Sequence, residues 1–176
     1  MLIIFGGLPG VGKTAIAVEL ARLTGAVHLR IDSIEQAMRA CGRMNQALDD
    51  AGYHVAYAVA EDNLRVGRTV IADSVNPLRV TREGWRAVAK RAGVEAVEIE
   101  IECSDLDEHR RRVETRRSDI PGLVLPTWEE VAGREYDPWD GEHMVIDTAE
   151  RTAEENASAI CGVLREPTFG RQRWTE

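Results

Sequence analysis

The residues best suited to chemistry lie in four short stretches of a 176-residue chain. The first is Gly7-Leu8-Pro9-Gly10-Val11-Gly12-Lys13-Thr14, which has the spacing G-x-x-x-x-G-K-[ST] between an apolar run and a helical pattern. Its glycines let backbone N–H groups turn inward around a phosphate. The helix that starts at Lys13 aims its positive end at the same group, and the Lys13 ammonium reaches the outer phosphate oxygens. The Thr14 hydroxyl is of the type that ligates Mg²⁺ beside those phosphates. All eight residues are therefore expected to bind a nucleoside triphosphate, with ATP and Mg²⁺ as the cofactors.

The second stretch is Asp32, just after the short apolar segment Val27–Ile31. A carboxylate there can orient an acceptor hydroxyl and take its proton, or it can be a helix N-terminal acid that favours the dipole. The third is Asp73, which closes Val70-Ile71-Ala72-Asp73. An acid ending a buried strand beside a phosphate loop can hold Mg²⁺ through water, contact substrate, or cap the following turn at Ser74-Val75-Asn76. The fourth is Arg110 to Arg117, with five arginines and one glutamate. That segment has a net charge of +4 in a chain of net −8, so everything else carries −12. Arg112 and Arg116 are four apart and are expected to share one helix face, from which both could meet phosphate oxygens. The remaining arginines can pair with Asp107, Glu108, Glu114 or Asp119, or be solvated.

Positioning such groups calls for particular elements. Leu2-Ile3-Ile4-Phe5 reads as a buried parallel strand, followed by a helix over Ala15–Leu23 that Gly25 ends. A second strand covers Val27–Ile31, and Ser33 with Gln36 predicts a capping box for a helix to about Ala40. Val55–Val66 reads as a helix, Thr69–Asp73 as a strand, and Val80–Ala92 as a helix. Val94–Cys103 alternates apolar and acidic residues, which predicts a strand near an edge. Ser104–Arg117 is expected to be helical, Pro121–Pro126 a loop, Thr127–Ala132 a helical turn or two, Val145–Asp147 a strand and Ala149–Leu164 the closing helix. This alternation predicts an α/β fold: a three-layer, five-stranded, mainly parallel sheet with helices on both faces and a short arginine-bearing lid. One domain is expected over residues 1–165, with residues 166–176 a loose tail. Ligands in such sheets bind at the carboxyl ends of the strands.

Composition limits the partners. Lys plus Arg is 22 and Asp plus Glu is 30, with a pI near 5.1, which disfavours duplex DNA and anionic membranes. Of the basic residues only Lys13 and Lys90 are lysines. Cys41, Cys103 and Cys161 form no C-x-x-C pair, and the apolar start of the chain lacks a basic leader, so a reducing, cytoplasmic setting is expected. No apolar run approaches the roughly 18 residues of a membrane span. His28, His54, His109 and His143 lack metal-ligand spacing and read as structural or surface residues.

With these residues in place, the chain resembles the small P-loop kinases over nearly its whole length. These include chloramphenicol phosphotransferase, zeta toxin, gluconate and shikimate kinases and the kinase part of polynucleotide kinase. The likeness rests on Gly7–Thr14, on Ile31-Asp32-Ser33-Ile34-Glu35-Gln36-Ala37-Met38, and on the arginine helix near position 112. The segment after the second strand is similar to that of chloramphenicol phosphotransferase, where the aspartate is taken as the base. The chain also resembles proteins often labelled AAA-family ATPases, although it shows no AAA-type lid domain or sensor arginine.

The resemblance implies a kinase with a small-molecule hydroxyl acceptor, with Lys13, Asp32, Arg112 and Arg116 catalytic, Asp73 and Thr14 on the metal, and Thr148 in the loop lining the adenine pocket. A 5′-hydroxyl of a nucleic acid is the alternative acceptor, disfavoured by the acidic surface; an ATP-binding regulatory module with little turnover is another. Trp128, Tyr136 and Trp139 either wall the acceptor pocket or pack in the core. Arg30 and Asn76 are weaker binding candidates, and Asn45, Gln46, Tyr53, His54 and Tyr57 are expected near the acceptor.

Overall fold

Continuous apolar strands bounded by glycine or acid become the centre of a layered sheet. The computed structural model describes residues 1–41 and 50–165, and the expectations for Asn45, Gln46 and the tail at 166–176 lie outside them. The elements are β1 (Leu2–Gly6), α1 (Lys13–Thr24), β2 (Val27–Arg30), α2 (Ile31–Ala40), α3 (Ala51–Arg65), β3 (Val70–Asp73), α4 (Arg79–Ala92), β4 (Ala96–Glu102), α5 (Leu106–Thr115), α6 (Trp128–Ala132), β5 (Met144–Asp147) and α7 (Ala153–Arg165). The sheet order is β2-β3-β1-β4-β5, and every neighbouring pair is parallel.

β1 lies at the centre and is buried throughout. Its side chains alternate between two cores. Ile3 and Phe5 join Ile71, Val97, Ile99 and Ile101 under α1 and α7, whose Ile16, Leu20 and Ile160 close that face. Leu2 and Ile4 join Val70 and Ala72 under α2, α3 and α4, where Ala56, Ala60, Leu64 and Trp85 close the other. Each large apolar side chain removed from water in this way contributes roughly 1.5–3 kcal/mol. The chain order therefore reverses at β1, and the crevice beyond its carboxyl end is where such a sheet takes its ligand.

Two local expectations change, and the one that sets β4 near an edge holds. The helix after β2 begins at Ile31 with Arg30 as its N-cap and no side-chain cap, so Ser33 is already inside the first turn and does not cap it. β4 is one place in from the edge. Of the acids on its second face, Glu98 and Glu100 are half-buried and Glu102 is exposed, and Arg86 of α4 bridges Glu98 and Asp140. The helix expected to reach Arg117 stops at Thr115 and leaves Arg116 extended, with φ −63° and ψ 149°. Ser118 then bonds its own neighbourhood, accepting from the Ile120 N–H at 3.0 Å and donating to the Ile120 carbonyl at 2.9 Å. Serine turns of this kind compete with helix continuation. Arg112 and Arg116 thus do not share a helix face.

Candidate active site

The carboxyl ends of β1, β2 and β3 open into one cleft of about 990 Å³, lined on its phosphate side by Pro9, Gly10, Gly12, Lys13 and Thr14. Gly7, Leu8 and Val11 form the underside of the loop, and Val11 is part of the core. The loop needs glycine at Gly10. Its φ is 92°, and a Cβ there would stand 2.5 Å from the Val113 Cγ2 of α5. His109, also on α5 and buried, hydrogen-bonds the Pro9 carbonyl through Nε2 at 2.9 Å and packs edge-on against Trp128. The phosphate loop and the first turns of α5 are therefore packed as one piece.

Lys13 is 8% exposed and donates to the Leu8 carbonyl at 2.9 Å. Burial pushes its ammonium down to about 8, against the pull of Asp73 and Asp32, and Arg116 and Arg134 push in the same direction as burial. A cationic group held at this electrostatic disadvantage gains from an arriving phosphate. The Thr14 hydroxyl faces the same cleft and makes no hydrogen bond within the described residues.

Asp73 is 3% exposed and sits opposite Phe5 of β1 and Arg30 of β2 in the sheet register. Its Oδ2 is 3.0 Å from His28 Nε2. No group of three or more His, Cys, Asp or Glu among the described residues is arranged to hold a metal ion. Mg²⁺ does not require such a cage, because it uses one or two protein oxygens together with phosphates and waters. The free Thr14 hydroxyl and the buried Asp73 carboxylate fit that mode.

Asp32 lies in the first turn of α2, exposed to the cleft, and has no hydrogen bond or ion pair among the described residues. A capping acid would accept a backbone N–H; this carboxylate is left open towards the cavity. Arg30, Arg116, Arg117 and Arg134 line the same cleft. Arg116 has no carboxylate within ion-pair distance, and its Nε is buried without a partner. Burial lowers the pKa of that guanidinium, with only Asp32 offsetting it and Arg30 adding to it.

Arg112 is placed differently. Its Nε donates to Glu108 at 2.7 Å, and its two terminal nitrogens donate to the Thr148 hydroxyl and carbonyl, each at 2.9 Å. Thr148 is buried, and its hydroxyl donates to the Val11 carbonyl at 2.8 Å. The two residues brace the phosphate loop from behind, so the Thr148 side chain does not line the cleft.

Several aromatic and polar candidates serve packing. Trp139 stacks over the buried Arg82 guanidinium at 5.0 Å and donates to the Tyr136 hydroxyl. The Asn76 side chain donates to the Phe5 carbonyl at 2.6 Å. Tyr53 accepts from the Asn76 N–H, and Tyr57 donates to the Thr81 carbonyl. None of these, nor His54 or Trp128, lines the cleft. The residues that sequence reasoning missed are Arg134, Arg39 and the apolar run Leu123–Pro126, all on the cleft wall. No spacing marks them, because they come from loops and a helix end brought together by the fold.

A family model described as an AAA domain matches residues 2–130. The chain belongs to this AAA-domain family. An uncharacterised protein of Mycobacterium tuberculosis is 30% identical over 84% of the chain. The chain spans only 32% of the length of that relative. A probable adenylyl-sulfate kinase of Aeropyrum pernix is 24% identical over 90% of this chain and 89% of its own. Among solved structures, the APS kinase of Mycobacterium tuberculosis in complex with AMPPNP and APS superposes with a TM-score of 0.69 at 19% identity, over 94% of this chain and 97% of that one. The AAA-domain chain therefore has the five-stranded, all-parallel P-loop fold. No helix among its described residues is long and apolar enough to cross a membrane.

Proposed function

We propose that this protein is an ATP- and Mg²⁺-dependent phosphotransferase that moves the γ-phosphate to a hydroxyl of a small molecule in the cytoplasm. The observation that carries the reading is the juxtaposition, in one cleft, of a phosphate loop with a buried lysine and an uncommitted carboxylate at Asp32. The kinase names of relatives that match nearly the full chain support it. So does the resemblance of Ile31–Met38 to chloramphenicol phosphotransferase.

Backbone N–H groups of Gly10 to Lys13 would cradle the phosphates, and Lys13 would hold the outer oxygens. Thr14 and Asp73 would hold Mg²⁺, which would offset phosphate charge when bound. Asp32 would orient the acceptor hydroxyl and take its proton as the new oxygen–phosphorus bond forms. The bond from the γ-phosphorus to the bridging oxygen breaks, and ADP leaves with that electron pair. Arg116, lacking a protein partner, would meet the transferring group, and Arg112 would keep the Thr148 loop in place.

The test is transfer from γ-labelled ATP to panels of hydroxylated metabolites, antibiotics, nucleosides and a 5′-hydroxyl oligonucleotide. Label on a small molecule, abolished by Lys13→Ala and Asp32→Asn, is the expected result. Label on the oligonucleotide alone, or nucleotide binding with no acceptor labelled across the panels, would overturn it.

A further inference from the structure

We infer that His28 is a positioning residue for the metal: it holds one oxygen of Asp73, and so keeps the other turned to the cleft and the carboxylate off Lys13. The inference rests on the metal assignment within the phosphotransferase reading, in which Asp73 and Thr14 hold Mg²⁺. It adds the residue that orients one of those two ligands.

Asp73 is a buried acid with two cations in its field. Its charge favours the protonated forms of Lys13 and of Arg30, its register partner on β2. A carboxylate only 3% exposed needs a partner, and a neighbouring cation is the usual one. Asp73 pairs with neither. The Lys13 ammonium donates to the Leu8 carbonyl, and Arg30 donates to Asp119 through Nη1. Among the described residues, the side chain of Asp73 makes one hydrogen bond, between its Oδ2 and His28 Nε2 at 3.0 Å.

The sheet places the ring there. His28 stands opposite Ile71 and Arg30 opposite Asp73 in the parallel β2–β3 register. Residues two apart on a strand share a face, so His28 is the diagonal neighbour of Asp73 on one face of the sheet. β2 is an edge strand, and the His28 side chain is 21% exposed where that of Asp73 is 3%. Spacing alone reads this histidine as structural or surface; the fold bonds it to the acid that closes β3. A carboxylate only accepts, which puts the ring proton on Nε2.

Asp73 Oδ1 makes no hydrogen bond among the described residues, and Asp73 lines the cleft. One oxygen held and one open suits Mg²⁺, which takes few protein oxygens, demands strict geometry, and leaves its other positions to phosphates and waters. A carboxylate free to turn would close on Lys13 and neutralise the cation that the phosphates need. Removing the hydrogen-bond partner of a ligating group typically costs about 10- to 100-fold in metal affinity.

Calorimetry tests the inference without an acceptor. AMPPNP is titrated into the intact protein once with Mg²⁺ and once with EDTA, and the ratio of the two affinities is the gain from the metal. His28→Leu should cut that gain by about tenfold while affinity in EDTA changes less than about threefold. His28→Val, with a β-branched residue suited to a strand, should do the same. His28→Gln, whose amide N–H can still donate to Oδ2, should keep most of the gain, which a merely structural role for the ring does not predict. Asp73→Asn should abolish it. A gain that Asp73→Asn removes but that survives both apolar substitutions, or that His28→Gln loses as fully as they do, overturns the role of His28 and leaves the metal assignment standing. A wild-type protein that gains nothing from Mg²⁺, or a gain that Asp73→Asn leaves intact, overturns the metal assignment, and the role of His28 falls with it.

Discussion

The two ends of the cleft are built from different materials. The phosphate end is mainly backbone: a loop whose shape is set by Gly10 at φ 92° and by the packing of His109 and Val113 against it. The other end, where we propose the acceptor binds, is side chains from separated segments: Arg30 and Asp32 around the β2–α2 junction, Arg116 and Asp119 after α5, and Arg134 after α6. A backbone cradle recognises a group common to every nucleoside triphosphate, and its shape fixes its partner. An array of side chains can be altered one residue at a time without disturbing the sheet, so specificity belongs there.

Substitutions that separate the ends sharpen this contrast. Lys13→Ala should have the largest effect, lowering transfer by about three decades or more, since it removes a preorganised charge at the transferring phosphate. Asp32→Asn should lower transfer by roughly two to four decades while AMPPNP affinity stays near wild type. If nucleotide affinity fell in parallel, the two ends would not be separable and the assignment of Asp32 to the acceptor would be wrong. Arg116→Ala is expected to cost transfer about 10- to 100-fold, with less effect on binding of ADP, which lacks the γ-phosphate. An unchanged rate would remove Arg116 from the site. Gly10→Ala should weaken AMPPNP roughly tenfold through the strained φ and the clash with Val113. Calorimetry on that variant would show whether the loop is as rigid as its packing with α5 requires.

The smallest effect is on pH. Burial holds Lys13 at about 8, below its ordinary 10.5, so the folded free protein loses this proton before the unfolded chain does. The resulting penalty on stability is present in full below about pH 8 and is relieved as pH rises from 8 towards 10.5. Nucleotide binding needs the charged form, so its affinity should fall over the range in which the free protein gains stability. Thermal unfolding with and without AMPPNP at pH 7 and 9 reads both trends, and Lys13→Met should flatten them.

The sequence made the phosphate end and the sheet legible for physical reasons. Eight consecutive residues carry the loop, and Leu2–Phe5 and Val70–Asp73 are apolar runs with no competing period. Asp32 and Asp73 could be singled out as cleft residues from the sequence, because acids at strand ends fall on the binding edge of a parallel sheet. The cleft was illegible at Arg134, and understated at Arg30, because their proximity is created by folding across about a hundred residues. The extension of the arginine helix failed for a local reason, the Ser118 turn. Thr148 is expected in the loop lining the adenine pocket; in the structure it is buried, with its hydroxyl bonded to Val11 and Arg112.

The junction between the phosphate loop and α5 has a consequence for how the molecule breathes. His109 to Pro9, Val113 over Gly10, and Arg112 to Thr148 to Val11 join segments about a hundred residues apart in the chain. Amide hydrogens in the inner turns of α5 should therefore be among the slowest in the protein to exchange with deuterium, opening together with β1. The segment from Arg116 to Pro126, where the backbone has left the helix, should exchange early and slow down when nucleotide and acceptor bind. The joint between those two rates, at Arg116, is where closure of the cleft would be timed.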